Sequence, residues 1–382
     1  MAEALSVAIV GGGPVGIALA LALTDADIEV VMLEARPADV GVSDPRPIAL
    51  AYGSRLILER LGVWDSVGSA TPIHEIRVSQ QGGFGRVAMR AADADIPALG
   101  YVLDYVRLHA ALSAALDARG VPVRRGATVS RISADSGSAR IEYHHAGHSG
   151  EILAKLVAVA DGGGLQHGAT KVSDYRQSAV VATVRTEFPH GNVAFERFTP
   201  AGPMGLLPFG DRCALVWSLK PAVAEAACAE APERFLERLQ SAFGSRLGQF
   251  TAVSARGLFP LTLKVARADA PRTITIGNAA QMLHPVAGQG FNLGLRDAWE
   301  LAHEIEHAEP AALGSDAMLR ACARRRRIDR GGGIGFTDAL VRLFSNDFGP
   351  LRAARGLALA ALDAIPPAKT FLIRRMTFGT RG

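Results

Sequence analysis

Two glycine-rich stretches contain residues whose types and spacing are suited to binding a ligand. Gly11, Gly13 and Gly16 lie in "VAIVGGGPVG", and "GNAAQMLHPVAGQGFNLGLRDAW" occupies residues 277–299. Glycines at such spacing let the chain turn tightly and let a ligand lie against main-chain N–H groups, while the start of a helix attracts an anion. Both stretches therefore indicate binding of a phosphate or another electron-rich group.

The first stretch lies between elements that suit a nucleotide. "SVAIV" (6–10) is typical of a buried strand, an Ala/Leu-rich helix follows the glycines to about Thr24, and "IEVVMLEA" (28–35) is typical of a second strand. Glu34 comes near the end of that strand, where a carboxylate accepts hydrogen bonds from a ribose and repels a 2′-phosphate. The first 35 residues therefore predict a βαβ nucleotide-binding unit.

Two further segments end strands in small or polar residues. "VAVADGGG" places Asp161 and Gly162 after a continuous apolar strand, and "TITIGNAA" places Gly277 and Asn278 after another. Beyond them, the glycines from Gly288 onward lead into an amphipathic helix. One site for a pyrophosphate and a second for a polyol and ring imply an extended dinucleotide.

The elements that must position these residues change character along the chain. A helix is predicted over 104–119, and an alternating meander follows it. From 174 to about 258 the pattern indicates antiparallel strands, with Gly210-Asp211 as a hairpin turn, and after 291 it is mostly helical. We expect a mixed α/β fold with a sheet assembled from separated segments and an inserted antiparallel sheet.

Composition excludes several classes of protein. The 382 residues are 49% apolar, enough for a large core, and the net charge of +4 is too small to indicate nucleic-acid binding. The three cysteines form no C-x-x-C pair, and no basic segment precedes "LSVAIV", so we expect a reducing cytoplasm and no signal peptide. The arginines of "RRRRIDR" (324–330) are expected on a solvated helix face, or else at an acidic surface.

Three segments, in this order, resemble the fingerprints of one enzyme family. "GGGPVG" with "E-x-R", then "ADG", then "GNAAQMLHPVAGQGFNLGLRDA" look like those of FAD-dependent aromatic hydroxylases of the p-hydroxybenzoate hydroxylase fold. "RPIALAYGSRLILERLGVW" (46–64), "AFERFTPAGPMGLLPF" (194–209) and the final "PPAKTFLIRRMTFG" look closer to the ubiquinone-biosynthesis subgroup. The Gly-Asn pair of the third fingerprint favours the branch of 2-octaprenyl-6-methoxyphenol hydroxylases.

The resemblance implies a division of the chain into three parts. Residues 1–73, 101–173 and 259–325 would form a Rossmann-like FAD-binding domain. Residues 74–100 and 174–258 would form a substrate-binding β-sheet domain, followed by a C-terminal helical region over 326–382.

The resemblance also implies a role for each motif. The first glycines contact the FAD pyrophosphate, Glu34 its ribose, and Asp161 orders the dinucleotide loop. Asn278 replaces the family aspartate on the ribityl chain, where an amide still donates and accepts. Arg46 lies near the flavin, and 288–292 line its ring. The predicted cofactor-binding residues are Gly11, Gly13, Pro14, Val15, Gly16, Glu34, Arg36, Arg46, Asp161, Gly277, Asn278, Pro285, Gly288, Gln289, Gly290, Phe291 and Asn292.

Histidines offer a candidate catalytic group. His284 either assists deprotonation of a phenol, since imidazole titrates near neutral pH, or organises its own loop through backbone hydrogen bonds. His144, His145 and His148 lie in a predicted hairpin loop without a matching carboxylate or cysteine pattern, so we expect no metal site there.

The implied reaction is hydroxylation of a prenylated phenol ring in ubiquinone biosynthesis, with FAD as cofactor, NAD(P)H as transient co-substrate and O₂, through a flavin C4a-hydroperoxide. The partners implied are other ubiquinone-biosynthesis proteins or the membrane surface, and no nucleic acid. The C-terminal "AIPPAKTFLIRRMTFG" either touches the membrane or a partner, or packs on the FAD domain. The location is cytoplasmic, with peripheral attachment to the inner membrane as the alternative.

One departure keeps other functions open. The family pattern D-G-x-x-S-x-x-R is replaced by "DGGGLQHGATK", which lacks both the serine and the arginine. A hydroxylase of another aromatic substrate and a catalytically decayed FAD-binding subunit therefore remain alternatives. Flavin-dependent halogenases carry W-x-W-x-I-P, whereas Trp64, Trp217 and Trp299 are isolated here, and flavin disulfide reductases need a cysteine pair.

Overall fold

The computed structural model describes residues 5–44, 46–135, 137–165, 170–266, 270–344 and 349–381. The helices of this part are α1 Pro14–Asp25, α2 Tyr52–Arg60, α3 Tyr105–Ala118, α4 Pro221–Ala229, α5 Pro232–Phe243, α6 Gln289–Glu306, α7 Asp316–Phe344, α8 Gly349–Ala364 and α9 Pro366–Phe378. Its strands are β1 Leu5–Val10, β2 Val30–Glu34, β3 Pro47–Ala51, β4 Thr71–Ile73, β5 Glu75–Gln80, β6 Arg86–Arg90, β7 Gly100–Asp104, β8 Val123–Arg125, β9 Thr128–Ala134, β10 Ala139–His145, β11 His148–Val159, β12 Thr170–Thr186, β13 Val193–Thr199, β14 Gly202–Phe209, β15 Arg212–Leu219, β16 Phe250–Val253, β17 Gly257–Ala266, β18 Thr273–Thr275 and β19 Gln281–Met282. The predicted mixed α/β fold is confirmed.

The first sheet brings the predicted motifs together. Its strand order is β8-β2-β1-β11-β10-β9, with β18 also paired to β11, and β1, β2, β11 and β18 run parallel. Both faces of β1 are buried, which explains why its sequence is apolar throughout instead of alternating. Val10 pairs with Val159, and Val159 pairs with Thr275. Because these three strands end at one edge, the three predicted motifs emerge side by side.

The second sheet forms a wall with two different faces. Its order is β19-β17-β12-β15-β14-β13-β5-β6, with β16 on β12. On one face, Phe235, Leu239 and Phe243 of α5 pack in a core with Trp217 of β15. The opposite face, which alternate residues of β13, β14 and β15 form, looks toward the C-terminal helices. The predicted turn at Gly210-Asp211 joins β14 to β15 as expected.

The remaining elements connect the two sheets. Strands β3, β7 and β4 form a small antiparallel sheet, while α7 packs on α6, α8 on β6 and α9 on α2. The predicted division into domains stays a prediction. Strand β7 crosses the predicted boundary at 100/101, β12 crosses 173/174, β17 crosses 258/259, and α7 crosses 325/326. Four elements are therefore shared between the predicted parts.

Candidate functional site

The glycines of the first turn divide into two kinds. Gly11 has φ +109°, and its N–H donates to the Leu33 carbonyl oxygen at 2.8 Å. A methyl group on Gly11 would collide with the Ala160 carbonyl group, and one on Gly16 would collide with the Gly11 carbonyl oxygen. Gly13, in contrast, has no heavy atom within 4 Å of the place where a Cβ would stand. Of the three motif glycines, two are therefore needed for packing, while open space lies in front of Gly13.

That open space lies at the start of α1, which suits an anion. Gly13 is the N-cap of α1, Pro14 follows as the first helical residue, and no side chain caps the first turn. No acidic residue lies in that turn. Its N–H groups, which no side chain caps, and the positive end of the helix dipole therefore face the space where a pyrophosphate would bind.

Glu34 and a buried histidine hold the turn from two sides. The Glu34 carboxylate accepts hydrogen bonds from the N–H of Gly12 and, at 2.8 Å, from that of Arg36. His109 of α3 donates from Nε2 to the Gly12 carbonyl oxygen at 3.0 Å, and burial lowers its pKa below the usual value. The Arg36 Nη2 atom lies 3.4 Å from the same ring nitrogen. No local sequence pattern marks His109 as part of this turn.

The second and third motifs meet this turn at the sheet edge. Asp161 accepts hydrogen bonds from the N–H groups of Gly163, at 2.9 Å, and of Leu165, which gives the loop-ordering geometry expected of it. Gly277 adopts φ +60°, and Asn278 beside it is exposed. The Ser and Arg positions of the altered fingerprint fall on Leu165 and Gly168, and Gly168 lies outside the described residues.

A buried ion pair fixes the Gly277 turn. Asp297 of α6 accepts hydrogen bonds from the Gly277 N–H at 3.2 Å, from the Gln281 amide at 2.6 Å and from Arg326 Nε at 2.8 Å. Arg326 also donates to the Thr275 carbonyl oxygen at 3.0 Å. The expectation that the 324–330 arginines lie on a solvated face is thus wrong for Arg326, which faces inward to a buried carboxylate. Arg330, one turn further along α7, is half-buried and donates to the carbonyl oxygens of Ala266 and Ala280, both at 2.8 Å.

The glycine-rich start of α6 is anchored to β3. Gly288 adopts φ +58° as the N-cap of α6. The Asn292 side chain accepts hydrogen bonds from the Ala51 N–H and the Ser54 hydroxyl group, both at 2.7 Å, and donates to the carbonyl oxygens of Ala49, at 3.0 Å, and Gly288, at 2.7 Å. Asn292 therefore positions the loop through four protein hydrogen bonds, a task that the resemblance did not assign to it.

The other predicted residues of this loop have distinct surroundings. Val15 packs against Gly277, Phe291 packs on the core beneath α6, and Gly290 lies near Leu283. Pro285 and Gln289 line the cavity described below.

Arg46 lies beside Phe259 of β17, away from the glycine turns. Its guanidinium group forms a two-pronged pair with Asp44, with Nε at 2.7 Å and 2.9 Å from the two carboxylate oxygens. It also stacks over the Phe259 ring at 4.6 Å. The hydrogen bond that Arg46 donates to Asp44 raises the Arg46 pKa, and burial raises the pKa of Tyr105 nearby. Arg46 is thus a fixed positive charge at the end of β17.

His284 is buried and neutral. Its Nδ1 atom accepts a hydrogen bond from the Val286 N–H at 3.1 Å, so the single proton of the neutral ring lies on Nε2. Nε2 faces the Gln177 amide oxygen at 3.3 Å and the Ser218 hydroxyl oxygen at 3.4 Å. Burial lowers the His284 pKa to about 4. This is the geometry of the loop-organising role, and the part in phenol deprotonation stays a prediction.

A cavity of about 340 Å³ lies between this loop and the C-terminal helices. Its walls are the face of the second sheet opposite α5, strand β3, residues 285–292 and the helices α7, α8 and α9. The lining is almost wholly apolar. Its polar members at the loop end are Ser218, Gln289 and Asn292, and those elsewhere include Glu196 and Arg355. The cavity therefore suits a largely apolar molecule with a polar group near the loop.

A group of side chains elsewhere in the described part could hold a metal ion. His303, Glu306 and His307, near the C-terminal end of α6, place their ligand atoms within 4.8 Å of one another. The group is mostly exposed and lies at the opposite end of α6 from the cavity. It therefore does not belong to this site.

The residues present fit FAD. The Glu34 carboxylate, the open space before Gly13 with the uncapped first turn of α1, and the exposed Asn278 follow one another along the edge of the first sheet. They supply donors for a pyrophosphate, an acceptor for a ribose and an amide for a polyol.

Comparison with known proteins agrees with this geometry. A family model described as "FAD binding domain" matches residues 4–328. Ubiquinone hydroxylase UbiL of Rhodospirillum rubrum is 34% identical over 96% of this chain and 88% of its own length. The 3-demethoxyubiquinol 3-hydroxylase of Escherichia coli is 34% identical over 94% of each chain. Human COQ6, a ubiquinone biosynthesis monooxygenase, is 31% identical over 95% of this chain and 90% of its own.

A solved structure shows the same fold. The p-nitrophenol 4-monooxygenase PnpA of Pseudomonas putida superposes with a TM-score of 0.79 over the full length of both chains, at 20% sequence identity.

Proposed function

Because this chain belongs to the FAD-binding domain family and its relatives are named as hydroxylases and monooxygenases of ubiquinone biosynthesis, we propose that it is a flavin-dependent monooxygenase that hydroxylates a prenylated phenol of that pathway. The co-substrates are NAD(P)H and O₂. The observation that carries the substrate class is the apolar cavity of about 340 Å³ beside the predicted flavin loop. An almost wholly apolar cavity with a group of polar residues at its loop end suits a phenol ring joined to a hydrocarbon chain.

The first sheet would hold the cofactor. The N–H groups at the start of α1 bind the pyrophosphate, Glu34 binds the ribose, Asn278 meets the ribityl chain and the 288–292 segment lies against the ring. Bound FAD supplies the redox chemistry with NAD(P)H and O₂ that side chains cannot perform. The chain itself orients the phenol and excludes water.

Ser218 is placed to hold the phenol oxygen. It lines the cavity beside Pro285 and Val286, and its hydroxyl oxygen lies 3.4 Å from His284 Nε2. Since the neutral His284 ring carries its proton on Nε2, that nitrogen cannot accept a hydrogen bond from the Ser218 hydroxyl group. The Ser218 proton is then free to point into the cavity and to stabilise a phenolate.

The same proposal extends to where the protein works. A prenylated phenol partitions into lipid, because each buried CH₂ group contributes about 0.8 kcal/mol. We therefore propose a cytoplasmic protein that is peripheral to the inner membrane and works with other proteins of ubiquinone biosynthesis.

The test uses the purified, FAD-loaded protein with NADH and NADPH. We expect a prenylated phenol to stimulate their oxidation and to yield a hydroxylated product by mass spectrometry. Ala358→Trp, which fills the cavity, should lower kcat/KM for the prenylated phenol far more than for the same ring without its chain. Ala360→Trp, on the same helix but outside the cavity lining, is the matched control.

Two outcomes would contradict the proposal and favour an alternative function. A flavin that stays oxidised with both nucleotides and every prenylated phenol would favour a FAD-binding subunit without catalysis. Equal turnover of prenylated and unprenylated rings, insensitive to Ala358→Trp, would favour another aromatic substrate.

A further inference from the structure

The outer face of α8 and α9 is apolar and faces water. Leu357 of α8 is 63% exposed, and Phe371 of α9 is 71% exposed. Ile365, in the bend between the two helices, is also exposed. The other exposed residues of this face, apart from Asp363, are alanines and prolines: Ala353, Ala354, Ala358, Ala360, Ala361, Ala364, Pro366, Pro367 and Ala368. We call this face, over residues 353–371, the elbow face.

Charge is nearly absent from the elbow face. Asp363 and Lys369 belong to its sequence, but Lys369 is buried, with Nζ 3.6 Å from Asp93 and 3.9 Å from Asp363. Arg355 points inward and donates to the Leu343 carbonyl oxygen at 2.9 Å. A soluble helix normally places charged residues on its outer side, so this surface is built for contact with something apolar.

The inner face of the same two helices lines the cavity. Leu359 and Leu362 of α8, and Leu372, Ile373 and Met376 of α9, form part of its wall. Both helices are therefore apolar on two sides, one against the cavity and one against solvent. A helix that is apolar on two sides is usually buried on both of them.

The cavity reaches the surface beside the elbow face. Leu343, at the end of α7, lines the cavity and is also 42% exposed. Ala358 likewise lines the cavity and is exposed. Phe84, another exposed aromatic residue, lies against Gly356 of α8 and extends the apolar surface. A long hydrocarbon chain could thus pass from this surface into the cavity.

Composition and shape favour a lipid bilayer as the occupant. Among the described residues, no single helix combines the length and hydropathy of a membrane span, whereas Pro350–Ala364 and Pro366–Phe378 do so as a pair bent by 96°. A sharply bent pair suits insertion into one leaflet. Arg352 on α8 and the exposed Arg374 on α9 flank the elbow face with positive charge, which attracts anionic headgroups.

We propose that the elbow face inserts into the headgroup and acyl boundary of a bilayer, so that the prenyl chain of the substrate enters the cavity from the lipid without crossing water. This rests on the proposed function for the identity of the substrate, while the lipid contact itself depends only on the surface. The helices α8 and α9 then act as the membrane-facing wall of the substrate cavity.

The experiment uses the full FAD-loaded chain and vesicles of phosphatidylcholine with phosphatidylglycerol. Leu357→Ser with Phe371→Ser should lower the sedimented fraction about tenfold or more, since two large apolar side chains leave the lipid. Val172→Ser with Phe188→Ser is the matched control, because both side chains are exposed but lie on the second sheet and the β12–β13 connection. The control should bind vesicles as the unchanged protein does.

Turnover separates this inference from the proposed function. The Leu357→Ser, Phe371→Ser variant should keep its rate with a short-chain phenol in water and lose it with a prenylated phenol embedded in vesicles. Equal sedimentation of variant and control would overturn the proposal. A second result would also overturn it: the unchanged protein does not bind vesicles but is a dimer in size-exclusion chromatography, and the Leu357→Ser, Phe371→Ser variant is a monomer. Vesicle binding without any hydroxylation would overturn the proposed function and leave the elbow face a lipid contact.

Discussion

The buried, neutral His284 predicts a specific loss of stability in acid. Its pKa falls from 6.5 to about 4 on folding because the ring is removed from water. Between these values the unfolded chain binds a proton that the native ring does not bind. Unfolding therefore takes up a proton in this window, and the free energy of unfolding falls as the pH falls from about 6.5 to about 4. Above about pH 7 the shift has no effect on stability.

The size of the effect follows from the shift. At 1.36 kcal/mol per pKa unit, the full loss below about pH 4 is about 3 kcal/mol, and by about pH 5 it is already about 2 kcal/mol. The variant His284→Asn isolates this contribution, because its amide oxygen still accepts from the Val286 N–H but does not titrate. Other groups, including His109, titrate in both proteins and cancel in the comparison.

The assay is urea unfolding of the FAD-loaded protein and of His284→Asn, followed by circular dichroism at a series of pH values with the FAD concentration held constant. The free energy of unfolding of the native protein minus that of His284→Asn should fall by about 2 kcal/mol between pH 7.5 and about pH 5. A difference that stays flat over this range would refute the reasoning. It would mean that His284 protonates in the native state as easily as in the unfolded chain.

Three further predictions concern the cofactor and its support. Gly13→Ala should unfold like the unchanged protein yet bind FAD more weakly, because its methyl group meets no protein atom but enters the space for the pyrophosphate. Gly16→Ala should also lose stability, because its methyl group would collide with the backbone. Flavin-fluorescence titration measures the FAD affinity of the two variants, and thermal unfolding measures their stability. Asn278→Ala should weaken FAD retention more than it changes unfolding, and an unchanged flavin dissociation constant would contradict its role. Arg326→Met should cost about 3–5 kcal/mol in urea unfolding because it leaves a buried carboxylate without its partner, while the exposed neighbour Arg327→Met should cost almost nothing.

The sequence predicts well where one local pattern decides the structure. The β1-α1-β2 unit follows from an apolar strand, a glycine turn and an Ala/Leu helix within 35 residues, all of which act over short distances. The meeting of the three motifs could also be expected, because continuous apolar runs indicate buried parallel strands, and such strands end at a common edge.

What the sequence does not reveal depends on contacts between distant elements. His109 looks like one residue of an ordinary amphipathic helix, yet its partner Gly12 is 97 positions away. In the arginine run, periodicity alone does not say which residue faces inward, because that depends on where Asp297 lies across the packed helices. Asn292 was expected at the flavin for its chemistry, but the space beside it belongs to β3, whose position no local pattern fixes.

Helix α7 has a consequence for how substrate preference can change during evolution. Its first half carries Arg326, which fixes the turn after β18, and its second half contributes Phe336, Leu340 and Leu343 to the cavity. A rotation or translation of α7 that reshaped the cavity would also move Arg326 away from the buried Asp297 carboxylate. The contribution of α7 to a changed cavity is therefore limited to exchanging side chains on its far half while its backbone stays in place. The matched family region ends at residue 328, between these two halves of the helix.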